Sequence, residues 1–329
     1  MATAFVLAAG LGTRLRPLTE HRPKPLVPVC GVPLLAYSLA NCAVHGLRDV
    51  IVNAHWLHEQ IEAWAGEREG VRVTVSTERP DILGTGGGLV AVADQLAERF
   101  AVLNADVLHD VDLTALLDAV PAGGAAMALR PDPDAARYGV VAADAEGVVV
   151  QLTSVAQAEA AGEVARDTHF TGIHAMDRAA LAHVPAGFAC IVRTAYKALV
   201  PARKVRGVRY PGLWLDAGDP AAYLDANLEV LRTAPALPLD PFARAAWART
   251  GGREVGDAAI VRGATVQGAA WIGAGAEIGA GAVLEDCVIG EGAVVAPGAR
   301  LREVVVWDGA RVDGDRARGV VHDGGWLAT

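Results

Sequence analysis

Cysteine is scarce in this 329-residue chain, and its four cysteines lie far apart, without the paired spacing of a structural metal site. Reduced thiols in a cytoplasmic protein are the simplest interpretation. Long apolar runs are also missing: the first one ends at Gly10 without a basic segment before it, and no later run could cross a bilayer. We therefore expect no membrane partner. The cysteines are Cys30, Cys42, Cys190 and Cys287.

An excess of basic residues is missing as well. The formal net charge is −9 at pH 7, which offers no general attraction for a polyanion. We therefore expect no nucleic-acid partner. The length suits one large or two medium domains, and an apolar content of about half is ordinary for a globular protein.

The first two thirds of the chain alternate short apolar runs with segments of helical spacing, which predicts a parallel α/β sheet covered on both faces. The later part of this region, from Tyr138 to Asp216, is richer in strand-like segments. A helix is predicted at Pro220–Arg232 with Asp219 as its N-cap. The other predicted strands are Ala4–Ala9, Asp49–Ala54, Val71–Ser76, Phe100–Asn104 and Ala125–Leu129, and the helices between them are Leu34–His45, Leu57–Gly66 and Gly88–Arg99.

After a proline- and glycine-interrupted stretch, the pattern changes to a period of six. One branched or large apolar residue recurs in each repeat, with mostly Gly and Ala between, and the phase slips by one residue midway. This period is typical of a parallel β-helix, in which three hexads form one coil. The division predicted is 1–232, a linker at 233–255, and a β-helix at 256–329. The periodic positions are Ile260, Val266, Ile272, Ile278, Leu284, Ile289, Val295, Leu301 and Trp307.

A glycine-rich turn follows the first predicted strand. Glycines there let backbone N–H groups approach a phosphate chain closely. Arg14, Arg16, Arg22 and Lys24 follow within a few residues, and prolines on both sides of Lys24 would hold its ammonium in one place. Fixed cations of this kind stabilise charge on a leaving pyrophosphate. The turn is neither a Walker loop nor a GxGxxG motif.

The segment LAAGLGTRLRPLTEHRPKPLVPV, from Leu7 to Val29, resembles the signature of the sugar-1-phosphate nucleotidylyltransferases. The resemblance covers nearly the whole chain, since several members carry a C-terminal left-handed β-helix; the architecture is most similar to the mannose-1-phosphate guanylyltransferases. It implies a Rossmann-like domain of GT-A type followed by that β-helix. It also implies catalytic roles for Arg14, Lys24 and Asp106. The nucleotide-binding residues implied in and after the turn are Leu7, Ala8, Ala9, Gly10, Gly12, Thr13, Arg14 and Asn104.

Two aspartates are candidate ligands of Mg²⁺. Asp106 follows the strand Phe100–Asn104, at the sheet edge where α/β folds bind ligands, and Mg²⁺ needs only one or two protein carboxylates. Asp216 lies in WLDAGD. The resemblance assigns both to the family's metal positions. Asp110, Asp112 and Asp219 are interpreted instead as turn or cap residues.

The segment LGTGGG resembles the family's base-binding loop, which implies nucleotide contacts from Gly84 and Thr85. Glu78 is a candidate base reader, because a carboxylate can accept hydrogen bonds from the N1–H and amino group of guanine. That favours GTP slightly. Glu78 could equally be an exposed loop residue.

The sugar side departs from the family pattern. The resemblance implies that the sugar phosphate is bound by Lys24, Gly139, Thr171 and Gly172. The Glu-Lys-Pro triplet of many members is, however, missing from Leu152–Ala156. Members that act on N-acetylmuramate 1-phosphate also lack this triplet. His169 and His174 flank an apolar run and are interpreted as structural. Lys197, Arg193 and Arg203 are spare cations, interpreted mainly as surface charges.

The predicted function is transfer of a nucleotidyl group from a nucleoside triphosphate to a sugar 1-phosphate, with Mg²⁺ and release of pyrophosphate. GTP and mannose 1-phosphate are the preferred pair; UTP with N-acetylmuramate 1-phosphate or another sugar 1-phosphate is the alternative. A non-catalytic regulatory or sensing subunit is the alternative from another class. Acyl transfer by the β-helix is disfavoured, because its only histidine, His322, lies beyond the last clear repeat. The β-helix is expected to mediate homo-oligomerisation.

Overall fold

The computed structural model describes residues 3–233, 236–241, 260–261 and 263–329. The described chain forms two compact units, and each contains segments distant in sequence. The first comprises 3–11, 38–105 and 109–214; the second comprises 12–37, 106–108 and the described residues from 215 onward. Most of the predicted linker, namely 234–235 and 242–255, lies outside the described residues, and the linear division at 232 and 255 stays a prediction.

The first unit is built on an eleven-stranded mixed sheet. Its parallel centre is formed by Thr3–Leu7, which pairs with Asp49–Ala54 on one side and Arg99–Asn104 on the other. Val71–Thr77 extends the parallel part, and the long strand Val164–Asp177 adds antiparallel pairing beside Arg99–Asn104. The remaining strands are Gly66–Arg68, Ala125–Pro131, Val140–Asp144, Val149–Leu152, Ala156–Gln157 and Val205–Arg209.

Apolar side chains on the central strands form the main core of the first unit. Phe5, Phe100, Val102 and Met127 have no exposed surface, which fits strands covered on both faces. The α/β sheet predicted from the alternating pattern is therefore confirmed. The helices of this region are Leu34–Val44, whose first turn belongs to the second unit, His58–Trp64, Gly84–Ala91, Leu113–Asp118 and Lys197–Leu199.

One helix differs from its prediction. The spacing predicted Gly88–Arg99, but the structure has a helix at Gly84–Ala91 followed by turns up to the strand at Arg99. Three consecutive glycines, Gly86 to Gly88, are poor helix formers in isolation. Here the amides of Gly86 and Gly87 donate to the carbonyl of Ala189, so a tertiary contact stabilises the first turn.

The C-terminal part of the second unit is a stack of parallel strands. Eighteen residues separate Val266 from its partner Leu284, and seventeen separate Leu284 from Leu301. The register shifts between Gln267 and Ala270, which accounts for the predicted slip. The β-helix is therefore confirmed as a parallel stack; its left-handed winding stays a prediction. The strands are Ile260–Val261, Thr265–Ile272, Glu277–Ile278, Val283–Ile289, Val294–Val295, Arg300–Val306, Arg311–Val312 and Arg316–His322.

Side-chain burial follows the period of six. Val266 is half-buried, and the side chains from Ile272 to Trp307 at the predicted positions are all buried. The phase slips a second time after Leu301, because Val306 and not Trp307 pairs with Ile289; Trp307 was therefore predicted one residue out of register. The strand Gly325–Ala328 turns back antiparallel on Arg316–His322 and so covers the free edge of the last coil. The helix Pro220–Thr233 also belongs to this unit, and the Asp219 carboxylate accepts a hydrogen bond from the Ala222 amide at 2.9 Å, as predicted for its N-cap.

Gly31 lies in the turn of a short hairpin, Pro28–Val29 with Val32–Pro33. Its φ is +69°, and a Cβ there would lie 2.0 Å from Cη2 of the buried Trp271. We expect Gly31→Ala to lower the free energy of unfolding by about 3 kcal/mol, from overpacking and left-handed strain together. Gly46→Ala is the matched control, because Gly46 has φ +73° but open space around it.

Thermal unfolding of the two variants separates these two costs. Gly46→Ala is expected to lose only the backbone part, about 1 kcal/mol. Equal losses in the two variants would show that the Trp271 contact contributes nothing.

Candidate functional site

The glycine-rich turn starts in the first unit, directly after the strand Thr3–Leu7. Asn53, at the end of the neighbouring strand, accepts hydrogen bonds from the amides of Ala8 at 2.6 Å and Ala9 at 3.3 Å. Asn53 therefore sets the direction in which the turn leaves the sheet. This residue was not among the predicted site residues. Its signal was a polar side chain directly after the apolar run 50–52.

Glu78 is buried, with 2% of its surface exposed, so it is not an exposed loop residue. One carboxylate oxygen accepts from Asn53 Nδ2 at 2.7 Å and the other from the Leu83 amide at 2.6 Å. A Cβ on Gly88 would lie 2.7 Å from this carboxylate, so glycine is needed there. Glu78 joins the start of the glycine-rich turn, through Asn53, to the start of the predicted base loop.

The predicted base loop packs against residues 187–191, which were not predicted to belong to the site. The Thr85 hydroxyl accepts a hydrogen bond from the Ile191 amide at 3.0 Å. A Cβ on Gly87 would lie 2.0 Å from the carbonyl oxygen of Gly187. Gly84 has φ +71°, which favours glycine at the bend into the helix. The glycines therefore serve close backbone packing within the first unit.

Thr171 is one of the predicted sugar-phosphate residues of the first unit. Its hydroxyl donates to the Ala128 carbonyl at 2.9 Å, and its own carbonyl accepts from Trp214 Nε1 at 2.9 Å. Gly172 has φ +85°, and a Cβ there would lie 2.3 Å from Asn104 Nδ2. Thus Asn104 and Gly172 lie together. Gly139, with φ +92°, packs on Thr153.

An aromatic cluster beside Thr171 was not predicted. The ring of Tyr138, which is 40% exposed, stacks on His169 at 4.6 Å between centroids. Trp214 meets both rings edge-on, and Arg130 lies 6.0 Å from the Trp214 ring. Burial lowers the pKa of His169, so its imidazole is neutral at pH 7. The three rings offer apolar surface, and the His169 and Arg130 side chains can form hydrogen bonds beside it.

His174 is a bonded core histidine, as predicted. Its Nδ1 and the Tyr196 hydroxyl are 2.6 Å apart, and burial lowers its pKa to about 3. A histidine whose folded pKa lies below its unfolded value of about 6.5 contributes stability above that value, and this stability is lost as the pH falls toward the folded pKa.

We expect the midpoint of thermal unfolding to decrease as the pH is lowered from 7 to 4. In His174→Gln the midpoint should decrease less steeply with pH. The exposed His183, changed to Gln, is the control and should keep the wild-type slope; a wild-type slope in His174→Gln would contradict this account.

In the second unit, the continuation of the turn is anchored by apolar residues. Gly12 adopts φ +63°, and the Thr19 hydroxyl donates to its carbonyl at 2.7 Å. Leu15 and Leu18 are buried, whereas Thr13 and Arg14 are exposed. This arrangement holds the backbone still and leaves the Arg14 guanidinium accessible to an anion.

Lys24 lies on a short turn of 3-10 helix, Lys24–Leu26, with prolines on both sides. Only 9% of its surface is exposed. Its Nζ lies 2.5 Å from a carboxylate oxygen of Asp106, whose side chain is 27% exposed. The ammonium is therefore held in one place by backbone restriction and by an ion pair.

Asp216 lies near the same charges. Burial raises the pKa of its carboxyl, the negative charge of Asp106 raises it further, and Lys24 and Arg14 act in the opposite direction. The Ala217 amide donates to the Asp106 carbonyl at 3.1 Å, which holds the two aspartate segments together. A Cβ on Gly218 would lie 2.8 Å from the Asp216 carboxylate. Arg14, Lys24, Asp106 and Asp216 thus form one cluster of opposite charges in the second unit.

The two carboxylates fit a divalent cation. The negative charge of Asp106 helps to raise the pKa of Asp216, and a cation held beside the two carboxylates would remove this repulsion. Within the described ranges, no three His, Cys, Asp or Glu side chains group as a complete metal site. Mg²⁺ does not require three, because phosphate oxygens and water supply its other ligands.

The aspartates interpreted as turn or cap residues have those roles. Asp112 caps the helix Leu113–Asp118 by accepting from the Ala115 amide at 2.9 Å. Asp110 accepts from the Leu213 amide at 3.0 Å and bonds to the Tyr210 hydroxyl. The spare cations also have structural or surface positions: Lys197 and Arg193 are exposed, and Arg203 pairs with Asp144 at 2.9 Å.

Comparisons with known proteins give two family matches and several relatives. A family model described as nucleotidyl transferase matches residues 3–233, and one described as bacterial transferase hexapeptide (six repeats) matches 269–303. The chain is 33% identical over 296 residues to a mannose-1-phosphate guanylyltransferase of Mycobacterium tuberculosis, covering 87% of this chain and 79% of that protein. It is 32% identical over 238 residues to an N-acetylmuramate alpha-1-phosphate uridylyltransferase of Caulobacter vibrioides, covering 68% and 95%.

A solved structure shares the fold. The crystal structure of HddC from Yersinia pseudotuberculosis matches with a TM-score of 0.57 at 20% identity, covering 69% of this chain and 98% of that one. None of the helices in the described residues is long and apolar enough to span a membrane. With a family model matching more than two thirds of its length, the chain belongs to the nucleotidyl transferase family and is an enzyme of that class.

Proposed function

We propose that this enzyme joins a nucleoside triphosphate to a sugar 1-phosphate and releases pyrophosphate, with GTP and mannose 1-phosphate as the preferred substrates. The observation that carries the reaction type is the charge cluster of Arg14, Lys24, Asp106 and Asp216. The named relatives support the substrate class, since they are guanylyl- and uridylyltransferases of sugar 1-phosphates.

The reaction is a direct in-line displacement. A phosphate oxygen of the sugar 1-phosphate forms a bond to the α-phosphorus, the bond to the β-phosphate oxygen breaks, and pyrophosphate carries away the electron pair. The nucleophile is already ionised at neutral pH, so no general base is required. Lys24 stabilises charge at the α-phosphate and orients the incoming phosphate, and Arg14 neutralises the departing phosphates.

Asp106 and Asp216 would hold Mg²⁺, which would neutralise phosphate oxygens and help to orient them. In the absence of triphosphate, the Lys24 ammonium neutralises Asp106 and keeps the carboxylate in position.

We propose that Glu78 acts on the nucleobase mainly by positioning the loop that begins at Leu83. Both of its oxygens already accept hydrogen bonds from the chain. Glu78→Gln puts an NH₂ group against one of these donors, so the loop shifts. We expect KM for GTP and for UTP to rise by a similar factor, about tenfold. A rise confined to GTP, in steady-state measurements of both nucleotides, would show instead that Glu78 reads guanine directly.

The backbones of the glycine-rich turn and the base loop, from Leu7 to Thr13 with Gly84 and Thr85, are assigned to the nucleotide, together with Asn104. Gly139, Thr171 and Gly172 are assigned to the sugar. The alternative pair is UTP with N-acetylmuramate 1-phosphate, favoured by the second named relative. Initial rates with four triphosphates against a panel of sugar 1-phosphates decide between the pairs; no pyrophosphate from any combination would refute the proposal.

A non-catalytic sensing subunit is the alternative from another class. The retained cations and carboxylates of the charge cluster argue against it, since sensing needs no fixed lysine at the reacting phosphate.

We further propose that the enzyme works in the cytoplasm, where its free cysteines stay reduced. Finally, we propose self-association through the β-helix. Sedimentation as a monomer at micromolar concentration would refute the latter.

A further inference from the structure

The residue before the Lys24 segment, Arg22, contacts the β-helix. The Arg22 guanidinium lies over the ring of Trp307, 4.6 Å from the centroid, and 3.9 Å from the Asp308 carboxylate. Trp307 is buried and closes the predicted hexapeptide series. Arg22 is separated from Lys24 only by Pro23, whose ring restricts the backbone between them.

The same tryptophan reaches the segment on its C-terminal side. Trp307 Nε1 donates to the Tyr223 hydroxyl at 3.0 Å, and this hydroxyl donates to the Pro28 carbonyl at 2.5 Å. Tyr223 is fully buried on the helix Pro220–Thr233. One residue of the β-helix therefore fixes the chain both before and after Lys24.

Further contacts tighten the C-terminal anchor. Asn227, on the same helix as Tyr223, accepts from the Cys30 amide at 2.9 Å. Between the anchors, the Val27 amide donates to the Lys24 carbonyl at 3.1 Å and the Leu26 amide to the Pro23 carbonyl at 2.8 Å. The short Lys24 turn is thus a stiff bridge with both ends fixed.

From this arrangement we propose that Trp307 is a positioning residue: the β-helix, through Trp307, Arg22 and Tyr223, holds the Lys24 segment in its productive place. The inference rests on the proposed role of Lys24 in nucleotidyl transfer. Its physical basis is that a catalytic cation works only when its position is fixed before the transition state forms, and a displacement of about 1 Å is enough to lower the rate strongly. The hexapeptide domain is then a working part of the enzyme besides any role in association.

Kinetics of the full-length chain test the proposal. Trp307→Ala is expected to lower kcat about tenfold with KM for the triphosphate changed by less than about twofold, since Lys24 acts mainly in the transition state. Trp307→Phe keeps a ring face for Arg22 and should recover most of kcat. Arg22→Ala should give a similar loss, and the double variant Arg22→Ala/Trp307→Ala should lose no more than the worse single variant.

Trp326→Ala is the matched control. Arg316 lies over Trp326 at 5.7 Å, so the change also removes a tryptophan and a cation–π contact from the β-helix, but in its terminal strand. Its kcat is expected to match the wild type. Wild-type kcat in folded Trp307→Ala, an equal loss in Trp326→Ala, or additive losses in the double variant would each overturn the positioning role.

Hydrogen–deuterium exchange gives a readout that does not depend on activity. Peptides covering 24–30 should exchange faster in Trp307→Ala and unchanged in Trp326→Ala, because the Leu26, Val27 and Cys30 amides lose the support of the anchors. Unchanged protection in Trp307→Ala would refute the inference whatever the substrate. A wild-type enzyme that makes no NDP-sugar, with the exchange result as expected, would refute only the proposed function.

Discussion

Replacing Lys24 with alanine is expected to lower kcat for NDP-sugar formation by about a thousandfold. A fixed charge aimed at a developing phosphate charge contributes a factor of about 10²–10³, and Lys24 also keeps Asp106 in place through its ion pair. The fold should persist, because the Asp106 carboxylate left behind is 27% exposed and water can solvate it. The rate of pyrophosphate release at saturating substrate concentrations measures kcat.

Lys204→Ala is the control for this prediction. Lys204 is exposed, in contrast to the buried Lys24. Its removal should leave kcat unchanged. Lys24→Arg should remain impaired, because a planar guanidinium is larger than the ammonium and the site is nearly closed. A Lys24→Ala enzyme with near-normal turnover would remove the basis for the mechanism.

Replacing Asp216 with asparagine is expected to have opposite effects on activity and on stability. Activity should fall about a hundredfold or more, because one of two proposed ligands of Mg²⁺ loses its charge. Stability of the metal-free protein at pH 7 should rise. The pKa of the Asp216 carboxyl is raised by burial and by Asp106, so its ionised form costs stability in the folded state.

The sign of the stability effect follows from linkage. A carboxyl with a raised folded pKa binds its proton more tightly in the folded chain, so its contribution is favourable at low pH and is lost as the pH rises through the folded pKa. Wild type and Asp216→Asn should therefore have similar unfolding midpoints near pH 3 and diverge toward pH 7, measured in EDTA.

Asp219→Asn is the matched control for the activity measurement. Asp219 caps the helix Pro220–Thr233, and asparagine caps as well as aspartate. The variant removes the same charge three residues away and should keep wild-type activity. A lower midpoint for Asp216→Asn at pH 7 would show that the carboxylate stabilises the apo fold, contrary to the direction of its pKa.

Local patterns carried much of the prediction. The period of six, including its slip, determined the β-helix, because each coil needs one large inward residue per hexad and small residues at its bends. Asp219 before Pro220 determined a helix start, since capping depends only on neighbouring residues. The prolines around Lys24 determined a restricted lysine for the same reason.

The roles that depend on distant residues could not be read in this way. The contact of Asn53 with Ala8, the packing of residues 187–191 on the base loop, and the ion pair of Lys24 with Asp106 join residues tens of positions apart. The prediction of the helix at Gly84–Ala91 was wrong in position for this reason, because its three glycines are stabilised in a helix by the Ala189 carbonyl.

The sequence by itself therefore determined the kind of chemistry and the two kinds of architecture, because both are encoded in short-range spacing. Only the tertiary structure decided which carboxylate neutralises Lys24, what Glu78 binds, and that Trp307 supports the Lys24 segment. Such pairings depend on where the folded chain returns to itself. No local pattern of residue types records that position.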